Sequence, residues 1–185
     1  MQTVESDAPR YDATTIYLHW ATAILVALQW LGAQVIDLLP RGPLRIDARS
    51  LHIVGGLLLA GLIVGRIIWR LRWGRRLSPD GTRLLALAAK SVHYGLYLLL
   101  IGMVVAGVAL TWVRGDSIFN VFAIPAYDPG NRALVKQVQG IHETIGNLIL
   151  VFVGLHVAAA LLHHYFWRDR VLARMSHPRS HSELK

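Results

Sequence analysis

Histidine is the residue type in this sequence with the most chemistry to offer. The chain holds nine, and seven of them lie in or at the ends of long apolar blocks: His19, His52, His93, His142, His156, His163 and His164. An ionisable side chain within such a block is expensive, so each needs a partner or a role. A single one reads equally well as an interhelical hydrogen bond or a headgroup-level residue, but seven together point to a shared purpose. Cysteine is absent. That excludes disulfides, thiolate-held iron–sulfur clusters, thiolate-ligated haem and covalent c-type attachment. Any metal chemistry must use imidazole, oxygen or methionine ligands.

The elements that would position these histidines are legible from hydropathy. Of 185 residues, 54% are apolar, concentrated in four blocks at about 14–39, 51–69, 87–113 and 141–166. Each reaches the roughly 18 residues of a spanning helix, and a helix pairs its own backbone groups in hydrocarbon. The fold class is therefore all-α: an integral membrane four-helix bundle forming a single domain over 1–185. The lead-in MQTVESDAPRYD carries acids, and the block after it is longer than the apolar stretch of a signal peptide, so it is expected to stay in the mature protein.

Basic residues set the expected orientation. Arg10, Arg70, Arg72, Arg75, Arg76, Arg83, Lys90, Arg168, Arg170, Arg174, Arg179 and Lys185 fall on one side. Arg41, Arg45, Arg49, Arg114, Arg132 and Lys136 fall on the other. Both termini are thus expected in the cytoplasm. This asymmetry accounts for the net charge of +8 without a nucleic-acid partner. The connections read as an outer loop at Pro40 to Arg49, an inner loop with a turn at Ser78 to Gly81, and a long outer loop from Arg114 to Gln139.

Depth then pairs the histidines. His142 and His156 are fourteen residues apart, close to four turns, so they share a face at depths about 21 Å apart. That is too far for one metal ion and suits two cofactors stacked across a bilayer. His52, near the outer end of the second helix, matches His142; His19, in the inner half of the first, matches His156. Paired imidazoles fill both axial positions of a haem iron, which favours electron transfer. His93 competes for the inner position. Small residues one turn away, which would admit a porphyrin, favour the first four: Thr22 and Ala23 beside His19, Gly55 and Gly56 beside His52, Gly146 beside His142, Ala159 and Ala160 beside His156. His93 has Leu96 and Tyr97 instead.

His163 and His164 close the last block in HHYFWRDR, where Tyr165 and Trp167 read as an interfacial belt. A quinone site is the functional alternative, with His164 bonding the quinone carbonyl, since His163 continues the face of His156. Arg66 reads as a snorkelling side chain or as the partner of a haem propionate.

The segments IYLHW at Ile16 to Trp20, LHIVGG at Leu51 to Gly56, GIHETIGN at Gly140 to Asn147 and GLHVAAALLHHYFWRDRVLARM at Gly154 to Met175 resemble the bacterial cytochrome b561 family over nearly the whole chain. The resemblance implies a di-haem inner-membrane cytochrome with His19, His52, His142 and His156 as ligands and His164 near the quinone. It further implies a superoxide oxidase type, taking electrons from superoxide on the periplasmic side and reducing ubiquinone near the cytoplasmic side. Arg114 and Lys136 are the expected attractors of superoxide; each outer loop nets only +1, so steering requires clustering. Two rival readings stand beside this: an electron-transfer cytochrome b subunit docking a periplasmic redox enzyme, and a histidine-lined metal or proton transporter without haem.

Overall fold

The computed structural model describes residues 10–75, 77, 83–168 and 171–175. Arg76, Arg170, Arg179, Lys185 and the turn at Ser78 to Gly81 lie outside the described residues. The chain forms four long helices, α1 (Ala13–Leu38), α2 (Pro43–Arg72), α3 (Arg83–Arg114) and α4 (Arg132–Tyr165). A two-stranded hairpin, β1 (Ser117–Ile118) and β2 (Phe122–Ala123), lies between α3 and α4, and a 3-10 turn (Ala173–Met175) follows α4. All four helices are long and apolar enough to cross a membrane. They run alternately up and down, so the start of α1 and the end of α4 lie at one end of the bundle (the terminal end) and the hairpin at the other.

Local chemistry explains where each helix starts. Asp12 caps α1, accepting from the Thr15 N–H at 2.9 Å, and Asn131 caps α4, accepting from the Leu134 N–H at 3.0 Å. Pro43 opens α2, where its missing N–H is harmless. At the end of α3, Gly115 turns the chain with φ +69, and a Cβ there would lie 2.9 Å from that of Ala126. Conformation and space both require glycine.

The helices run past the apolar blocks. α2 begins at Pro43 rather than near Leu51, and α4 at Arg132 rather than near Ile141. Much of the two segments read as outer loops is therefore helix. Hydropathy marks where hydrocarbon ends, whereas caps mark where the helix starts, and helical hydrogen bonds continue readily into water.

Packing is uneven. α1 lies along α2 and α3 along α4, with a narrower α2–α3 contact, while α4 has no comparable contact with α1 or α2. Leu59 and Ile63 of α2, Leu100 of α3 and Ile149 of α4 form a small buried cluster. Most other apolar side chains face outward, Leu98 and Val151 among them, as expected where the solvent is lipid.

Two polar clusters tie the ends. At the terminal end the Asp12 carboxylate accepts from Thr15 Oγ1 at 2.7 Å, Trp69 Nε1 at 2.9 Å and the Arg75 N–H at 3.1 Å, joining α1 to α2. Burial alone would raise this carboxyl, but these hydrogen bonds outweigh it and hold it at about 2. Nearby, Trp20 Nε1 donates to the Met175 carbonyl at 3.0 Å and the Tyr11 N–H to that of Arg174 at 3.3 Å. At the hairpin end, fully buried Ser50 of α2 accepts from the Phe119 N–H at 2.8 Å and donates to the Ile46 carbonyl at 2.8 Å. Phe119 and Asn120 both have positive φ, and the Val121 N–H donates to the Ile118 carbonyl at 3.0 Å, closing a three-residue hairpin loop.

Candidate functional site

Four of the seven histidines face each other in two pairs. The His52 and His142 rings are 6.3 Å apart between centroids, at 75°. The His19 and His156 rings are 6.0 Å apart, at 62°. Each pair joins α4 to a helix of the α1–α2 pair, whose backbone it approaches much less closely than that of α3. His93 also reaches the second cluster, with its ring 5.2 Å from that of His156.

The two clusters differ in polar surroundings. In the pair near the hairpin end, Nδ1 of His52 and Nδ1 of His142 are buried without a hydrogen-bond partner, a costly state for a ring nitrogen. Gly107 of α3 lies beside His142: a Cβ there would sit 3.3 Å from the ring's Cε1. In the other pair, Arg66 Nη2 lies 2.9 Å from His19 Nδ1, and its guanidinium lies 5.4 Å from the Tyr97 ring centre. A guanidinium can only donate, so in this contact His19 Nδ1 is the acceptor.

Small residues beside the histidines have a different role from the one expected. Gly55 and Gly56 face the side chain of Gln29 on α1, and Gly146 faces Met103 on α3. Thr22 is buried and bonds back to the Leu18 carbonyl at 2.7 Å. Glycines at such positions let helices approach closely. Depth still pairs the histidines. Gln29 itself carried no signal in the sequence: one uncharged amide in an apolar block looks like any other interhelical polar residue.

Arg114 stands at the junction of hairpin and bundle. It lies 3.7 Å from the buried Asp116, which also accepts from Arg49 Nη1 at 3.2 Å. Burial pushes the Asp116 carboxyl above its ordinary range, opposed by Arg114 and Arg49. Arg114 also acts electrostatically on both His52 and His142. A cavity of about 310 Å³ opens beside it, lined by Arg114, Arg132, Lys136 and Asp128 among others. The clustering that loop charge alone left open is thus present. His164 is exposed at the end of α4, its ring against Tyr165 at 4.8 Å, and His163 packs on Trp167 at 4.6 Å.

Paired histidines inside a membrane bundle are suited to holding haem, and sequence comparison points to a cytochrome family. The prokaryotic cytochrome b561 family matches residues 10–178. The chain belongs to this family. Among curated cytochrome b561 relatives, the probable superoxide oxidase CybB of Yersinia pestis is 29% identical over 168 residues, covering 90% of this chain and 95% of its own. Cytochrome b561 homolog 1 of Escherichia coli (strain K12) is 29% identical over 169 residues, covering 90% and 96%. Homolog 2 of the same organism is 29% identical over 176 residues, covering 90% of each chain. As a cytochrome b561, the chain is a multi-pass electron-transfer protein of the bacterial inner membrane whose family carries haem b. The residues present fit that group: imidazoles from different helices face each other in two pairs, with ring centres 6.3 and 6.0 Å apart. Membership of a cytochrome family speaks against the transporter reading.

Proposed function

We propose that this chain is a superoxide:ubiquinone oxidoreductase with two haems b, one held by His52 and His142 and the other by His19 and His156. With ring centres 6.3 and 6.0 Å apart, each of these pairs would leave room for a metal bonded to both imidazoles at about 2 Å. His93, its ring 5.2 Å from that of His156, lies closer than that and is a neighbour of the ligand. When bound, the haems would supply one-electron transfer between the two depths. A neutral His19 holding iron through Nε2 would carry its proton on Nδ1, and Arg66, a pure donor, would then be available to an anion such as a haem propionate.

The observation that carries the superoxide reading is the basic cavity at the hairpin end of the bundle, the end nearer the His52–His142 pair. Superoxide is an anion, and Arg114, Arg132 and Lys136 outweigh Asp128 around that opening. Asn131 Nδ2 also donates to the Asp128 carboxylate at 2.8 Å, tempering its repulsion. A concave basic site of this kind raises anion encounter rates. Its place at the hairpin end supports electron flow from the periplasmic side inward, in an orientation that puts the basic residues of the terminal end at the cytoplasm. Two superoxide anions, one quinone and two protons then give two dioxygen molecules and one quinol. Quinone would be reduced near the terminal end, with His164 offering its imidazole to the quinone carbonyl.

Stopped-flow decay of superoxide over quinone-loaded protein tests the proposal. The expected result is decay far faster than spontaneous dismutation, with quinol formed at one per two superoxide, and a few-fold slowing in Arg114→Gln or Lys136→Gln at low ionic strength. Decay no faster than in buffer would overturn it.

A further inference from the structure

We propose that Gln29 is a positioning residue of the His52–His142 centre, fixing the His52 imidazole through the backbone of α2. The inference rests on reading that pair as haem ligands. Gln29 lies ten residues beyond His19 on α1, about 15 Å along the helix, at the depth of the pair near the hairpin end. An amide there must find a partner inside the protein.

The partner it takes is the ligand itself. Gln29 Nε2 donates to the backbone carbonyl of His52 at 2.7 Å. In a regular helix that carbonyl also accepts from Gly56, four residues on, and its second lone pair is free for Gln29. The next turn of α2 is shaped around the same amide. A Cβ on Gly55 would lie 2.5 Å from Gln29 Oε1, and one on Gly56 would lie 3.5 Å from Nε2. Side chain and glycine pair form a key and its slot, setting the height and rotation of α2 at the residue that carries the imidazole.

At the other centre the polar contact is made at the ring, Arg66 Nη2 lying 2.9 Å from His19 Nδ1; at the His52 centre Gln29 acts on the main chain that carries the ring. The orientation of an axial imidazole tunes the potential of its haem, so Gln29 acts on one haem and not on the other.

The test uses holoprotein carrying Gln29→Leu, Gln29→Ala, Gly55→Ala, and the Gln29→Ala/Gly55→Ala pair. It reads haem content by pyridine haemochrome, both midpoint potentials by redox titration, and the ferric low-spin resonances by EPR. A His52→Ala variant identifies which signal belongs to that pair. The expected result is two haems per chain with the His52–His142 midpoint and resonance shifted and the other haem unmoved. Gly55→Ala should reproduce the shift, because its methyl displaces the amide, and should add nothing in the Gln29→Ala background. Gly55→Ala keeps the test open should Gln29→Leu fail to fold. Two unshifted haems, a lowered melting temperature alone, or equal shifts in both haems would mean that Gln29 is only an adhesive between helices, and the inference would fall. Wild-type protein without haem would instead defeat the ligand assignment beneath it.

Discussion

Each histidine pair makes a separable claim about single residues. In the account above, His52→Ala or His142→Ala leaves one haem per chain, and so does His19→Ala or His156→Ala; His93→Ala keeps two. Haemochrome quantitation of the five variants reads this directly, and two haems retained in His52→Ala would break the assignment. The four histidines were legible in the sequence because an imidazole in an apolar block stands out, and helical rise converts spacing into depth. Gln29 was not legible, since its role depends on which backbone atom it meets across a helix interface. The glycines near the ligands were visible but ambiguous: small residues admit a cofactor or a neighbouring helix with the same pattern, and Gly55, Gly56 and Gly146 face protein.

Among elements, the caps and end-ties explain features that hydropathy leaves blank. Asp12 caps α1 through two hydrogen bonds from Thr15 and ties it to the end of α2 through two more, from Trp69 and Arg75, and its lowered carboxyl gives that junction a defined pH response. Because the folded group titrates at about 2 and an unfolded aspartate at roughly 3.9, its stabilisation is complete above the higher value. It is lost as pH falls from there toward 2. Asp12→Ala should cost about 1 to 2 kcal/mol at neutral pH and flatten the melting temperature of the detergent-solubilised protein across that acid window. An unchanged acid profile would show that the tie bears no load. At the other end, Ser50→Ala strands the Phe119 N–H, a loss of about 1 to 3 kcal/mol. It should speed proteolysis of the hairpin while leaving the spanning helices intact. Four helices were expected from four apolar blocks, but their outer turns were not, because Pro43 and Asn131 act through backbone geometry that a hydropathy window does not see.

At the scale of the whole molecule, the bundle is two helix pairs whose histidines face each other, with a basic cavity at one end. The charge around that cavity includes Asp116, a buried carboxylate between Arg49 and Arg114. Asp116→Asn removes a negative charge while leaving an acceptor for Arg49. It should therefore raise the superoxide rate a few-fold at low ionic strength and steepen its fall with salt. A rate unchanged at every ionic strength would separate the cavity from substrate capture. Direction of electron flow depends on which face of the membrane that cavity occupies, whereas the two-centre architecture does not. The architecture is tested most directly by a dithionite-reduced spectrum with pyridine haemochrome quantitation on purified protein. The account predicts two b-type haems per chain, both low-spin with two axial imidazoles. A single haem, or none, would contradict it.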